Sequence, residues 1–401
     1  MVPPLEQAAL TLAAVNHLRS RFGDEERSSR RGSGTSRRPT LPGSGASTPA
    51  AAPASPAASA PVPVTPFARS AWSPGEGEPL PPEPLFKYTK REIDELAACS
   101  ARLEPLSELQ RRGLAYLKAQ IDAAVRADSS LRTTPEAIST PRLLRFLRSH
   151  GWDLAHTWTD LRAALEFRRD WRLDAVRERI VSANREFFCK GGPDLDLLSF
   201  HALADASDAL QPRTLTHDTP EGRSRPLLDR HGNLVVIECP GVADYAGIVG
   251  LGTDGWVEAY VWHLELRVLI LDELSRRAGT LARTCTVLDM AEFRTALMLG
   301  GSKDEKEGFK AWQKASKQVS TVYPDLTYKN FVLNTPGGWV VAQAVTAMAP
   351  ARSKKKFHVF SKNDDWRKSL HAEVSPEQLP RRLGGSLPDG KQWMQLDAIR
   401  R

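Results

Sequence analysis

The 401-residue sequence has only four cysteines, Cys99, Cys189, Cys239 and Cys285, scattered and without CxxC spacing. That excludes a disulfide framework and thiolate zinc modules, and it predicts free, mostly buried thiols in a reducing compartment. No apolar run approaches the ~18 residues of a membrane span, so any membrane contact is expected to be peripheral. Glu6 precedes the first Ala/Leu run and no basic segment stands before it, so no secretory signal is expected. There is no GxSxG elbow, and the nine histidines show no HExxH or other metal spacing. Serine-hydrolase and zinc chemistry therefore find no support, and no metal ligand set is expected.

Two glycine-rich stretches imitate nucleotide motifs. Gly250-Leu251-Gly252-Thr253-Asp254-Gly255 spells GxGxxG before a helical pattern. A dinucleotide fold needs that turn directly after a strand, so that the phosphate meets the helix N-terminus. Here about ten residues separate it from Cys239, the last residue of a strand signal, and a loop role is the reading. The stretch 385–391 resembles a phosphate loop, but Gln392 stands where Ser or Thr would hold magnesium, and no helical pattern follows.

What is present begins with charge and prolines. The net charge is +7, which admits acidic partners such as an anionic membrane or nucleic acid. The stretch 41–84 holds twelve of the 29 prolines, filled out with Ala, Ser and Gly. Such a composition buries too little apolar surface to offset chain entropy, so residues 1–85 are expected to form a disordered tail. From residue 86 to 181 the apolar spacing is helical. Leu114, Leu117 and Ile121 mark one helix, and Leu143, Leu144 and Leu147 a second that starts at Thr140-Pro141. Leu154, Leu161 and Leu165 mark a third, capped by Asp153. Arg168, Arg169 and Arg172 read as its solvated face.

The chain is organised around 284–356. An apolar strand signal at 284–290 is followed by a helical stretch, Tyr323-Pro324-Asp325, and a second strand signal at 329–336. A nearly charge-free segment, 337–351, leads through Lys354-Lys355-Lys356 into a third strand signal at 357–360. Strand, crossover, strand is the pattern of a parallel sheet. Residues 234–239 read as a further buried strand, and 256–274 as a long helix. The 337–351 helix is apolar on nearly every face, which suits either a buried crossover or a lid over a greasy ligand. Thr284 and Thr286 lie two apart on one strand face and offer two hydroxyl donors, though β-branched residues also simply favour strands. Asp289 ends its strand, where a carboxylate commonly caps a turn.

These residues together carry a resemblance. Leu143-Leu144-Arg145-Phe146-Leu147-Arg148, Trp152-Asp153 and Glu166 to Trp171 resemble the N-terminal helical part of the CRAL-TRIO family. Asp229-Arg230-His231-Gly232-Asn233, the 284–290 strand, Tyr323-Pro324-Asp325, Asn334-Thr335-Pro336, the 356–360 strand and the stretch 379–385 follow in family order. The likeness spans roughly 86–385 and is nearest to the phosphatidylinositol/phosphatidylcholine transfer type. It implies an α/β fold: a helical subdomain at 86–181, a lipid-binding domain at 182–386 with a mostly parallel sheet and a gate helix, and a polar tail at 387–401.

The resemblance also implies roles. Thr284 and Thr286 match hydroxyl positions facing a phosphatidylcholine headgroup. Asp325 and Lys356 match the acidic and basic positions of the inositol-lipid site, with Asp where the family has Glu. His150 stands where that site has Arg, and a neutral imidazole offers one donor where a guanidinium grips phosphate bidentately. Trp339, Val340, Val341, Val345 and Met348 would form the gate and cavity wall, and Lys354 and Lys355 would dock on a membrane. The expectation is a monomeric, cytoplasmic, peripherally membrane-associated carrier. It exchanges phospholipids, without catalysis, without a cofactor and without nucleic acid. Two alternatives remain open: a lipid-sensing scaffold whose tail binds protein partners, and a nucleotide-dependent enzyme using Gly250–Gly255.

Overall fold

The computed structural model of the protein describes residues 85–99, 101–183, 213–218, 224–291, 293, 302–335 and 351–389. The chain divides into two units, Met1–Phe67 and Ala68–Arg401, and every described residue lies in the second. All of the expected tail at 1–85 but Leu85 lies outside the described residues, as do the gate residues Trp339, Val340, Val341, Val345 and Met348, and residues 390–401.

The N-terminal part is helical: α1 Lys90–Cys99, α2 Glu108–Ala127, α3 Thr140–Ser149, α4 Leu154–Asp170 and α5 Leu173–Ala183. Ser107 and Gln110 cap α2 reciprocally, each side chain accepting from the other's backbone N–H. Ser139 occupies the N-cap position of α3, one residue before the expected Thr140, without a side-chain capping bond, and Pro141 stands in the first turn. The Asp153 carboxylate accepts from His156 N at 3.0 Å to start α4. Between α3 and α4 the chain reverses through Gly151 and Trp152, at φ 59° and 66°. Leu117, Leu143, Leu144 and Leu147 are fully buried in this unit, each contributing about 1.5–3 kcal/mol of apolar transfer.

Among the described residues five strands form the main sheet: β1 Arg213–Thr214, β4 Leu234–Glu238, β5 Thr284–Asp289, β6 Thr327–Thr335 and β7 Phe357–Ser361, in that order. β4 to β7 are mutually parallel and β1 runs antiparallel along β4. A separate two-stranded ribbon pairs β2 Thr216–Asp218 with β3 Ser224–Pro226. Parallel neighbours need long crossovers. The β4–β5 connection carries α6 Tyr245–Ala278, and the β5–β6 connection carries α7 Lys303–Val319. One sheet face sets Val235, Ile237, Cys285, Val287, Phe331 and Leu333 against Leu370 of α8 Arg367–Glu373 and its flanking residues Trp366 and Val374. Leu234, Val236, Leu288, Val332, Phe357 and Val359 belong to the other core, with α6 and α7. By the two-residue period Thr284 and Thr286 share that second face.

The strands fall where the apolar runs place them. α6 is longer than the expected 256–274, and the GxGxxG stretch lies inside it. Gly252, at φ 71°, kinks the helix there. No strand leads directly into this turn, so the strand-to-helix geometry that aims backbone amides at a pyrophosphate is missing. Further along, α6 is buried nearly all round, because α5 and α7 pack along it and α4 sends a side chain to it. Arg168 of α4 reaches Glu265, and the Arg179 guanidinium of α5 lies 4.6 Å from the Trp262 ring centre.

Candidate functional site

The entries to three parallel strands and the end of α3 bring their charges together at one edge of the sheet. Arg283 immediately precedes β5, Asp325 lies two residues before β6, and Lys356 immediately precedes β7. Arg148 sits in the last turn of α3. Arg148 Nε donates to Asp325 Oδ2 at 2.8 Å, and Lys356 Nζ donates to Oδ1 at 3.3 Å and to the Thr327 carbonyl at 2.6 Å. Arg283 lies over the Tyr328 ring, 5.1 Å from its centre, and its Nε has no hydrogen-bond partner among the described residues.

The electrostatics follow from three cations around one carboxylate. Burial pushes the Asp325 carboxyl up, but Arg148, Lys356 and Arg283 together hold it below its ordinary value. Burial lowers the Lys356 ammonium against the pull of Asp325, with Arg283 and Arg148 adding to the lowering. Arg283 is lowered by burial as well. The cluster carries three positive charges and one negative, a net of +2, and such an excess favours an anionic group.

The expected site residues divide. Asp325 and Lys356 meet directly. Thr284 and Thr286 are buried, and the Thr284 hydroxyl donates to the Leu326 carbonyl at 3.1 Å. Of the two threonine hydroxyls, the one at Thr284 is thus already held by backbone. The His150 ring turns to Asp160, with Nε2 at 2.7 Å from Oδ2, and its Nδ1 lies 2.9 Å from the Phe146 carbonyl. The α3 side chain that meets Asp325 is Arg148, two residues earlier. Lys354 and Lys355 are exposed, whereas Lys356 is half-buried at the cluster. Neither Arg148 nor Arg283 stood among the expected site residues. The Arg148 signal lay within the Leu143–Arg148 motif, whereas Arg283 had none beyond its place before a strand.

Two other buried polar groups were not legible as such. Arg168, read as part of a solvated face, is buried. Its guanidinium donates to Glu265 Oε1 at 2.8 Å and to Asp174 Oδ1 at 2.5 Å. Its partner lies 97 residues away, beyond the reach of any helical pattern. Glu265 also accepts from Tyr323 OH at 2.7 Å and faces Arg142 at 3.9 Å. Burial raises the Glu265 carboxyl, yet Arg168, Arg142, Arg177 and Tyr323 bring it down to about 2. At the far end of β4, Glu238 pairs with Arg267 at 2.9 Å and Arg213 at 3.5 Å. His263 beside them is held well below the usual imidazole range by burial and those two arginines. Asp289 accepts from Ala291 N at 3.0 Å and from Asn334 Nδ2 at 2.8 Å, so its carboxylate pins the turn after β5.

Residues 251–385 match the family model of the CRAL/TRIO domain. Among solved structures, the crystal structure of Sfh5 aligns with a TM-score of 0.42 and 13% identity, over 71% of this chain and 90% of that one. No curated protein sequence matches.

Proposed function

We propose that this chain, which carries a CRAL/TRIO domain over residues 251–385, binds one phospholipid and carries it between membranes. The observation that supports this reading is the Arg148–Arg283–Lys356 cluster around Asp325, a desolvated net-positive site at the strand entries. In this reading the lipid phosphate accepts from Lys356, Arg283 and the Thr286 hydroxyl. Headgroup hydroxyls donate to Asp325, which suits an inositol phosphate headgroup, whereas a choline headgroup, which has no hydroxyl, sets its cation beside that carboxylate. No helix of the described residues is long and apolar enough to cross a membrane.

The physical need for a carrier comes from the acyl chains. Exposing a methylene costs about 0.8 kcal/mol, so two chains of on the order of 30 methylenes would cost roughly 24 kcal/mol in water. Transfer therefore requires an apolar enclosure that opens at a bilayer. We assign the gate to 337–351 and the docking charge to Lys354 and Lys355. The pathway needs no covalent step.

The test is liposome-to-liposome transfer of fluorescent phosphatidylinositol and phosphatidylcholine, with Arg283→Gln and Lys356→Gln beside the unaltered chain. Loss of one charge-assisted hydrogen bond is worth about 1.5–3 kcal/mol. The variants should therefore lose about 10- to 100-fold in affinity for at least one of the two lipids, with unchanged circular dichroism. Equal affinity in all three proteins would remove the assignment of this cluster to the headgroup. Absence of any lipid in native mass spectra of the purified chain, together with no transfer, would remove the carrier reading.

A further inference from the structure

His150 departs from the arginine of the resembled headgroup site, and its surroundings suggest a separate role. His156 and Asp160 are four residues apart on α4 and so lie on one face of the helix. The α3–α4 reversal brings His150 onto that face. The His150 and His156 rings lie 5.3 Å apart, centre to centre, inclined by 35°. One nitrogen of each ring and one Asp160 oxygen all fall within 4.8 Å of one another. The imidazoles of two histidines and one carboxylate make a ligand set that zinc-class ions favour.

The outer contacts fit as well. His150 Nδ1 lies 2.9 Å from the Phe146 carbonyl and 2.8 Å from Ser149 Oγ, whose own hydroxyl donates to that same carbonyl at 2.9 Å. An Nδ1–H donating there fixes the ring and leaves the Nε2 lone pair facing Asp160, the arrangement typical of metal-bound histidine. A lone pair and a carboxylate oxygen 2.7 Å apart repel unless a positive centre stands between them, either a proton or a metal ion. Bonds of about 2.0–2.2 Å to a tetrahedral ion place ligand atoms roughly 3.3 Å apart. The Nε2–Oδ2 pair would open by roughly 0.6 Å to reach that spacing. His156 is exposed and Asp160 half-buried, so an ion has a route from solvent.

We propose that His150, His156 and Asp160 bind one divalent transition-metal ion of the zinc class, leaving a fourth coordination position to water or an anion. The ion clamps the end of α3 to the first turns of α4. That places a fixed positive charge two residues from Arg148, without engaging Arg148 itself.

The experiment uses the full chain, free of any histidine tag, titrated calorimetrically with Zn2+ and analysed for bound metal after dialysis. The expected result is one equivalent bound with a Kd of about 10 µM or tighter. His156→Ala and Asp160→Asn should each weaken it by at least about tenfold, with unaltered circular dichroism. His156→Ala keeps all four cysteines, so an ion held by thiols would persist in that variant and overturn the proposal. So would the absence of uptake by the unaltered chain. A Co2+-loaded sample gives a second readout: a tetrahedral visible spectrum that the variants lose supports the site, and an octahedral spectrum shared by all three proteins refutes it. None of these readouts depends on lipid, so failure here leaves the carrier reading standing.

Discussion

Replacing Glu265 by Gln keeps the shape of the side chain and removes its charge, leaving Arg168, Arg142 and Arg177 buried around a neutral group. Two estimates of the cost agree. A carboxyl whose value falls from 4.5 unfolded to about 2 folded contributes roughly 3 kcal/mol at neutral pH. Removing one partner of a buried ion pair costs about 3–5 kcal/mol, and Gln, which still accepts from Tyr323, belongs at the lower end. Glu265→Gln should therefore lose about 3 kcal/mol at pH 7, read by urea unfolding followed through tryptophan fluorescence. The sign with pH follows from linkage. Between about 2 and 4.5 the unfolded chain binds the proton and the folded chain does not. The stabilisation by Glu265 is fully present above pH 4.5 and is lost as pH falls toward 2. The gap between the two proteins should shrink to about 1 kcal/mol at pH 3. A gap below about 1 kcal/mol at pH 7, or one that does not change with pH, would refute this account of how the N-terminal helices are fastened to α6.

Other outcomes follow from single contacts. A methyl group on Gly308 of α7 would land on the Tyr245 carbonyl at the start of α6. Gly308→Ala should cost about 1–3 kcal/mol in thermal or urea unfolding, whereas Gly255→Ala, whose added carbon meets only Leu251 Cβ at 3.4 Å, should be nearly neutral. Charge reversal at exposed Lys354 and Lys355 should weaken sedimentation with anionic liposomes by about 1 kcal/mol per charge removed, and unchanged sedimentation would dismiss them as docking residues. Thr286→Val should reduce phospholipid affinity about 10-fold or more through one lost hydrogen bond to the charged phosphate, while Thr284→Val should act on stability instead, because its hydroxyl is bound to the Leu326 carbonyl.

The sheet was legible because its signal is local. Leu234 to Glu238 and Thr284 to Asp289 are short, largely apolar or β-branched runs of strand length, and strands buried on both faces read that way. Asp325 and Lys356 were also within reach, since each sits beside a strand signal and the resemblance paired them. What escaped the sequence depends on partners far along the chain. Arg168 has the spacing of a solvated helix face, and only the docking of α4 on α6 turns it inward to Glu265. The cluster of His150, His156 and Asp160 escaped for a different reason. The three are close in sequence, but a spacing of six and then four matches no linear ligand motif. Only the left-handed pair Gly151–Trp152 folds the first histidine back onto the helix that carries the others.

Arg142, Arg145 and Arg148 are spaced by three along α3 and so share one broad face. Each fastens that helix at a different depth. Arg142 faces Glu265 and Asp272, Arg145 reaches the Ala282 carbonyl at 2.7 Å and the Asp325 carbonyl at 3.4 Å, and Arg148 takes the Asp325 carboxylate. Asp325 has a left-handed backbone, φ 49°, so its carboxylate is aimed only while its own peptide is held. Arg145 is the residue that holds it from within. Burial pushes its guanidinium down to about 10 despite Asp272 and Asp325 nearby, yet it remains charged at neutral pH. Arg145→Met removes that hold without touching the carboxylate, Lys356 or Arg283. It should destabilise the fold by about 1–3 kcal/mol through the unsatisfied carbonyls, and it should also weaken headgroup binding several-fold in the fraction that is folded. Titrating phospholipid vesicles well below the unfolding temperature separates the two effects. Lipid affinity equal to that of the unaltered chain, alongside the stability loss, would show that Asp325 is aimed by its own loop and that α3 contributes only to stability.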